Sequence, residues 1–151
     1  MVGSIADDDS KELFEVLLAK KTFSPDQISY RAHQGCRYQP PDSVEILSGD
    51  EPLVEQVGCF EVVIVSAITN AALDVALTCD KPLFFESQSS VNFGPLVGLN
   101  VRMFHDAGTL QALLKDCRND KVKPIHKSQF FYFNEVPTLW RQAVRKALKG
   151  K

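Results

Sequence analysis

The strongest constraint on how this chain folds lies in two apolar runs, FEVVIVSA at residues 60–67 and KPLFFE at 81–86. Continuous β-branched and aromatic character, rather than alternation, marks a strand covered on both faces. Residues 69–79 between them are too rich in Ala and Leu for a strand and suit about three turns of helix. Two buried strands joined by a helix require a crossover, and a crossover makes them parallel.

The rest of the chain repeats this alternation. VGSIA at 2–6 reads as a short strand, and 7–21 as a helix with Leu13, Phe14, Leu17 and Leu18 at helical spacing behind three acids. ISYRAH (28–33) and VEIL (44–47) read as strands, and SGDEPLVEQVG as a capped helical turn with Pro52 near its start and Gly58 past its end. Residues 101–106 and 107–117 supply a last strand and helix, and 135–149 a basic helix with Val136, Leu139, Trp140, Ala143, Val144 and Ala147 on one face. The expected fold class is α/β, a doubly wound, mainly parallel Rossmann-like sheet flanked by helices, formed by 1–151 as a single domain.

At 151 residues the chain can bury a core, and no run reaches the roughly 20 apolar residues of a membrane span. The opening residues lack the basic and hydrophobic regions of a leader, so a cytoplasmic protein is expected. Cys36, Cys59, Cys79 and Cys117 are scattered, without C-x-x-C or a nearby His, which favours reduced thiols over a metal site. Charge is uneven: residues 111–151 hold ten Lys/Arg against three Asp/Glu, whereas 1–110 hold seven against sixteen. The basic end fits either a solvated helix face or peripheral contact with an anionic membrane face or partner.

In a parallel α/β sheet, ligands bind beyond the carboxyl ends of the strands, beside helix N-termini. Ser66, Ala67, Thr69 and Asn70 occupy such an end. The helix that follows offers unpaired N–H groups and about half a positive charge, suited to phosphate. Asp74, one turn in, is placed to accept from ribose hydroxyls. The same residues also satisfy an ordinary strand-to-helix turn with a Thr or Asn cap.

The pattern S-A-x-T-x-x-x-x-D-x-A-L-x-x-x-K-P, Ser66 to Pro82, resembles the donor-binding segment of GT-B glycosyltransferases. YRAHQG, Tyr30 to Gly35, is similar to their Arg-x-His-Pro-Gly segment, and the order of elements over roughly residues 2–118 follows their C-terminal half. The resemblance implies a nucleotide diphosphate sugar as donor substrate, with its diphosphate at Ser66, Ala67, Thr69 and Asn70. It implies Asp74 at the ribose, and Arg31 or His33 at the cleft edge within reach of phosphate. It implies no cofactor and no metal requirement. It further implies an acceptor domain outside these residues, in the rest of a longer protein or in a separate subunit, without which this chain does not turn over sugar. Three departures stand out: Ile68 where Gly is usual, Gln34 in place of Pro, and Cys36 after Gly35. A non-catalytic α/β interaction module that has lost the nucleotide site is the alternative.

Other features carry less. Asp7-Asp8-Asp9 is similar to the acidic pocket of receiver domains, but Ser66 stands where their phosphorylated Asp is expected. ESQSSVNFG (86–94) suits either sugar recognition or a plain connection. The aromatic run at 130–133, with Lys121, Lys123 and Lys127 nearby, has no nucleic-acid module around it, and no nucleic-acid partner is expected. His33, His105 and His126 are dispersed.

Overall fold

A computed structural model describes residues 1–92, 94–97 and 99–119. The basic helix expected at 135–149 and the aromatic run at 130–133 lie outside the described residues. Within them the chain is α/β, with small parallel sheets flanked by helices and compatible with a Rossmann-like fold. The elements are α1 (Asp7–Leu18), β1 (Ser29–Tyr30), β2 (Glu45–Ile46), α2 (Leu53–Val57), β3 (Val63–Ser66), α3 (Ala71–Thr78), β4 (Pro82–Phe85), β5 (Met103–Phe104) and α4 (Ala107–Arg118).

One sheet pairs β1 with β2, and the other runs β3-β4-β5. Val2 joins them by parallel bridges to Arg31 on one side and Val65 on the other. The Val2 N–H donates to Ile64 O at 2.8 Å and the Gly3 N–H to Arg31 O at 3.1 Å. The strand expected over 2–6 therefore shrinks to this bridge, because Ser4 to Ala6 turn at once into α1. Across the molecule the order is β2-β1-Val2-β3-β4-β5, every neighbour parallel.

The two buried runs behave as their composition demands. Every residue of β3 and β4 is buried, and alternate side chains serve different cores. Ile64, Leu83 and Phe85 pack with Leu13, Phe14 and Leu17 of α1 and Leu110 and Leu114 of α4. Val63, Val65 and Phe84 pack with Ala72, Val75 and Ala76 of α3. Helices thus cover both faces of the larger sheet.

One expected boundary moves and one stays. α1 stops at Leu18 because Ala19 turns extended at φ −60° and ψ 146°, and the chain then reverses through a 3-10 turn at Ala19–Lys21 with Lys20 and Lys21 at φ 52° and 55°. Gly58 closes α2 at φ −66° and ψ −14°, ordinary right-handed geometry, so its helix-stopping role does not use glycine's freedom. The thiols are free, Cys117 buried and Cys59 exposed.

Candidate functional site

The loops leaving Val2 and β3 depart to opposite faces, the first into α1 and the second into α3. A cleft of about 500 Å³ opens between them. It is lined by Gly3, Ser4 and Ile5 after Val2, by Arg31, Ala32, His33 and Gln34 after β1, by Gly49 and Leu53 after β2, and by Ile68, Thr69, Asn70, Ala71 and Asp74 after β3. The volume is within the range of small-molecule sites.

Thr69, Asn70 and Asp74 from the segment after β3 and Arg31 and His33 from the loop after β1 line this cleft together. Thr69 Oγ1 accepts the Ala71 N–H at 2.9 Å, and its carbonyl accepts the Ala72 N–H at 3.1 Å. It performs the capping that its position suggests, while Asn70 already has helical φ and ψ. Among the described residues the N–H groups of Ile68 and Asn70 meet no protein acceptor, so α3 opens with donors to spare. Asp74 is exposed, and its carboxylate has no partner among the described residues.

His33 faces the same space from the β1 side. Its Nδ1 accepts the Gly35 N–H at 3.1 Å, which assigns the proton of the neutral ring to Nε2 and makes that nitrogen a donor. Ile5 lies across this turn, since a Cβ on Gly35 would meet Ile5 Cγ1 at 3.1 Å.

Arg31 lines the cleft with its guanidinium engaged by the protein itself. Its guanidinium donates to Glu51 O and Gln56 Oε1 at 2.6 Å and to Gly49 O at 3.1 Å. Its donors hold segment 49–56 as the far wall.

Ser66 and Ala67 are not brought to the cleft surface. Both are fully buried. Strand alternation turns Ser66 to the same side as Ile64, where its hydroxyl donates to Asp9 Oδ2 at 2.6 Å. Ala67 faces the α3 core, and Gly94 closes over its carbonyl so tightly that a Cβ there would lie 1.9 Å from the oxygen. These two residues shape the turn from behind.

Gly3, Ser4 and Ile5 are lining residues that the reading of 2–6 as a strand misses. The signal was the small pair Gly3-Ser4 at a strand end, the same feature that singles out Ser66 to Asn70. The acidic triplet disperses: Asp7 Oδ1 accepts the Arg37 N–H at 2.7 Å, Asp8 is exposed and Asp9 is buried. No group of three or more His, Cys, Asp or Glu side chains among the described residues is arranged to hold a metal ion. No helix among them is long and apolar enough to cross a membrane.

Comparison with protein-family models, with curated proteins and with solved structures yields no match. The residues of the cleft are therefore the ground for a functional reading.

Proposed function

We propose that this chain is the donor-binding half or subunit of a glycosyltransferase of the GT-B class, holding a nucleotide diphosphate sugar and completed by a separate acceptor domain. The observation that carries the reading is the convergence of the Thr69–Asn70–Asp74 turn with His33 in one cleft. That cleft lies where the strand order reverses on either side of Val2. The order β2-β1-Val2-β3-β4-β5, with helices on both faces, reads as a doubly wound Rossmann-like sheet, and such sheets bind nucleotides at that reversal.

In this reading the Ile68 and Asn70 N–H groups, the Thr69 hydroxyl and the positive end of α3 take the diphosphate. The Nε2–H of His33 reaches it from the opposite wall, and the Asp74 carboxylate accepts from the ribose hydroxyls. These donors do chemical work as the glycosidic bond to phosphate breaks, because they stabilise the charge that builds on the leaving diphosphate. The acceptor and its base belong to the completing domain. A cytoplasmic setting, with peripheral contact to a membrane face through the basic segment 135–149, belongs to the same proposal.

The test is titration of the isotopically labelled chain with UDP, GDP, CDP and ADP, followed at the backbone amides. Saturable shifts centred on residues 66–74 and 31–34 are expected, with one base preferred. Thr69→Ala and Asp74→Ala are each expected to weaken the preferred nucleotide about tenfold, the value of one hydrogen bond to a charged group, with the fold intact. Unchanged affinity in both variants would remove the site assignment.

The second reading, a non-catalytic interaction module, draws on Ile68 and Arg31. A half-buried branched side chain stands in the cleft, and the nearest guanidinium is occupied by its own chain's carbonyls. Absence of amide shifts at about millimolar nucleotide would favour it.

A further inference from the structure

Among the described residues Asp9 is the one Asp, Glu, Lys, Arg or His side chain that is buried, at 1% exposure. Its Oδ2 accepts from the Ser66 hydroxyl at 2.6 Å, and its Oδ1 has no hydrogen-bond partner. No ion pair reaches it among the described residues. Around it β3 contributes Ser66, segment 2–5 contributes Ser4 and the loop after β4 contributes Ser87, all uncharged. The charged neighbour is Glu12, three residues along α1 and of the same sign. Glu12 is itself committed, accepting from the Ser87 hydroxyl at 2.5 Å, the Ser89 hydroxyl at 2.8 Å and the Gln88 N–H at 3.0 Å. Burial opposes the Glu12 charge, but these donors outweigh it and hold its carboxyl below the ordinary range.

An anion taken out of water with no counter-ion, beside a second anion, is strongly disfavoured, whereas a neutral carboxyl in the same place is tolerated. We propose that the carboxyl of Asp9, held to the end of β3 by the Ser66 hydroxyl, stays latched there because Oδ1 keeps a proton. Its loss drives the first turn of α1, and with it the Ser4–Ile5 wall of the cleft, away from the sheet.

Oδ2 already receives the Ser66 proton, so the added proton falls to the orphaned Oδ1. Ser4 Oγ accepts the Ala6 N–H at 3.2 Å and has a second lone pair close to Asp9. Burial pushes the Asp9 carboxyl above the ordinary aspartate range, the Ser66 and Ser4 hydroxyls draw it back, and Glu12 adds to the upward push. The mechanical link is short: Ser4 and Ile5 line the cleft, and Ala6 is the residue before α1.

The sign of the coupling is fixed by which state holds the proton. The unfolded chain releases it near the ordinary value of about 3.9, and the folded chain only at higher pH. Below this window the contribution to stability is complete. As pH rises through it, the unfolding equilibrium constant grows by up to about tenfold per pH unit.

The experiment is a carbon-detected NMR titration of the side-chain carboxyls of the unliganded chain, with thermal melts at matched pH. The Asp9 signal is expected to stay in its protonated position well above pH 3.9, and the amides of residues 4–10 to move with its midpoint. Asp9→Asn, a neutral isostere, is expected to abolish the associated pH slope and to gain stability relative to the parent as pH rises. Glu12→Gln is expected to lower the Asp9 midpoint, and Ser66→Ala, which removes the donor to Oδ2, to raise it. A carboxyl that ionises at or below the ordinary value, or amides at 4–10 indifferent to its midpoint, overturns the latch. The parent titration decides this even if Asp9→Asn fails to fold, and no step depends on what the cleft binds.

Discussion

Phe85→Ala is expected to destabilise the domain by about 3–5 kcal/mol, the usual consequence of deleting a fully buried ring. Phe85 is the last residue of β4 and has no exposed surface; its ring packs 5.6 Å, centroid to centroid, from that of Phe104 on β5. It belongs to the core shared by α1 and α4, so the cavity would lie between the sheet and two helices that cannot both close on it. A domain of this size has a total stability of about 5–15 kcal/mol, so one substitution would remove a large fraction of it. Urea unfolding should show the midpoint falling with little change in slope. Val91→Ala, on a side chain 71% exposed, should stay within about 0.5 kcal/mol of the parent. Comparable losses at both positions would refute the placement of β4 in the core.

Gly94→Ala should be costly for a different reason. The added Cβ would lie 1.9 Å from the Ala67 carbonyl oxygen and 2.8 Å from its carbon, both backbone atoms that cannot rotate away. The loop is also tethered on its own side, with the Gly94 N–H on Asn92 Oδ1 at 2.9 Å and Asn92 Nδ2 on Glu86 Oε1 at 3.0 Å. Loop and strand end must separate, at about 1–3 kcal/mol or more. Because Ala67 leads directly into Ile68 and Thr69, amide shifts should spread into the cleft. Gly58→Ala is the control: nothing lies within 4 Å of its Cβ position and its φ suits alanine. It should gain about 0.4–1 kcal/mol through the unfolded chain. A neutral Gly94→Ala would mean that the loop does not seat on β3 as described.

Which parts of this molecule are legible in its sequence follows from where the determining interactions are written. β3 and β4 are announced by their own side chains, since a strand covered on both faces must be apolar throughout. Thr69, Asn70 and Asp74 are legible for the same local reason, being fixed by their distance from the end of β3. Ser66 misleads because its role depends on the face it takes, although its alternation with Ile64 indicates the α1 side. Asp9 looks like one of three acids suited to a helix N-terminus. Yet it lies four residues before Leu13, itself four before Leu17, and this helical spacing puts it on the apolar face. The engagement of Arg31 is different in kind. Two of its three acceptors are main-chain carbonyls, which every residue carries, so nothing in the sequence marks Gly49 and Glu51 as its partners.

The bridge at Val2 also bears on the order in which the molecule assembles. β3 pairs with β4, and β4 with β5, across 19 positions of chain in each case. Val2 pairs with Arg31 across 29 positions and with Val65 across 63. Chain closure costs more entropy as the enclosed segment lengthens, so the β3-β4-β5 edge is expected to form before the middle of the sheet. Phi-value analysis should place Leu83 and Phe84 in the folding nucleus and Val2 outside it; a Val2 value as high as theirs would reverse the order. Time in this fold runs from the edge inward. The cleft beside Val2 is completed last, so a nascent or partly unfolded chain has no finished site to offer.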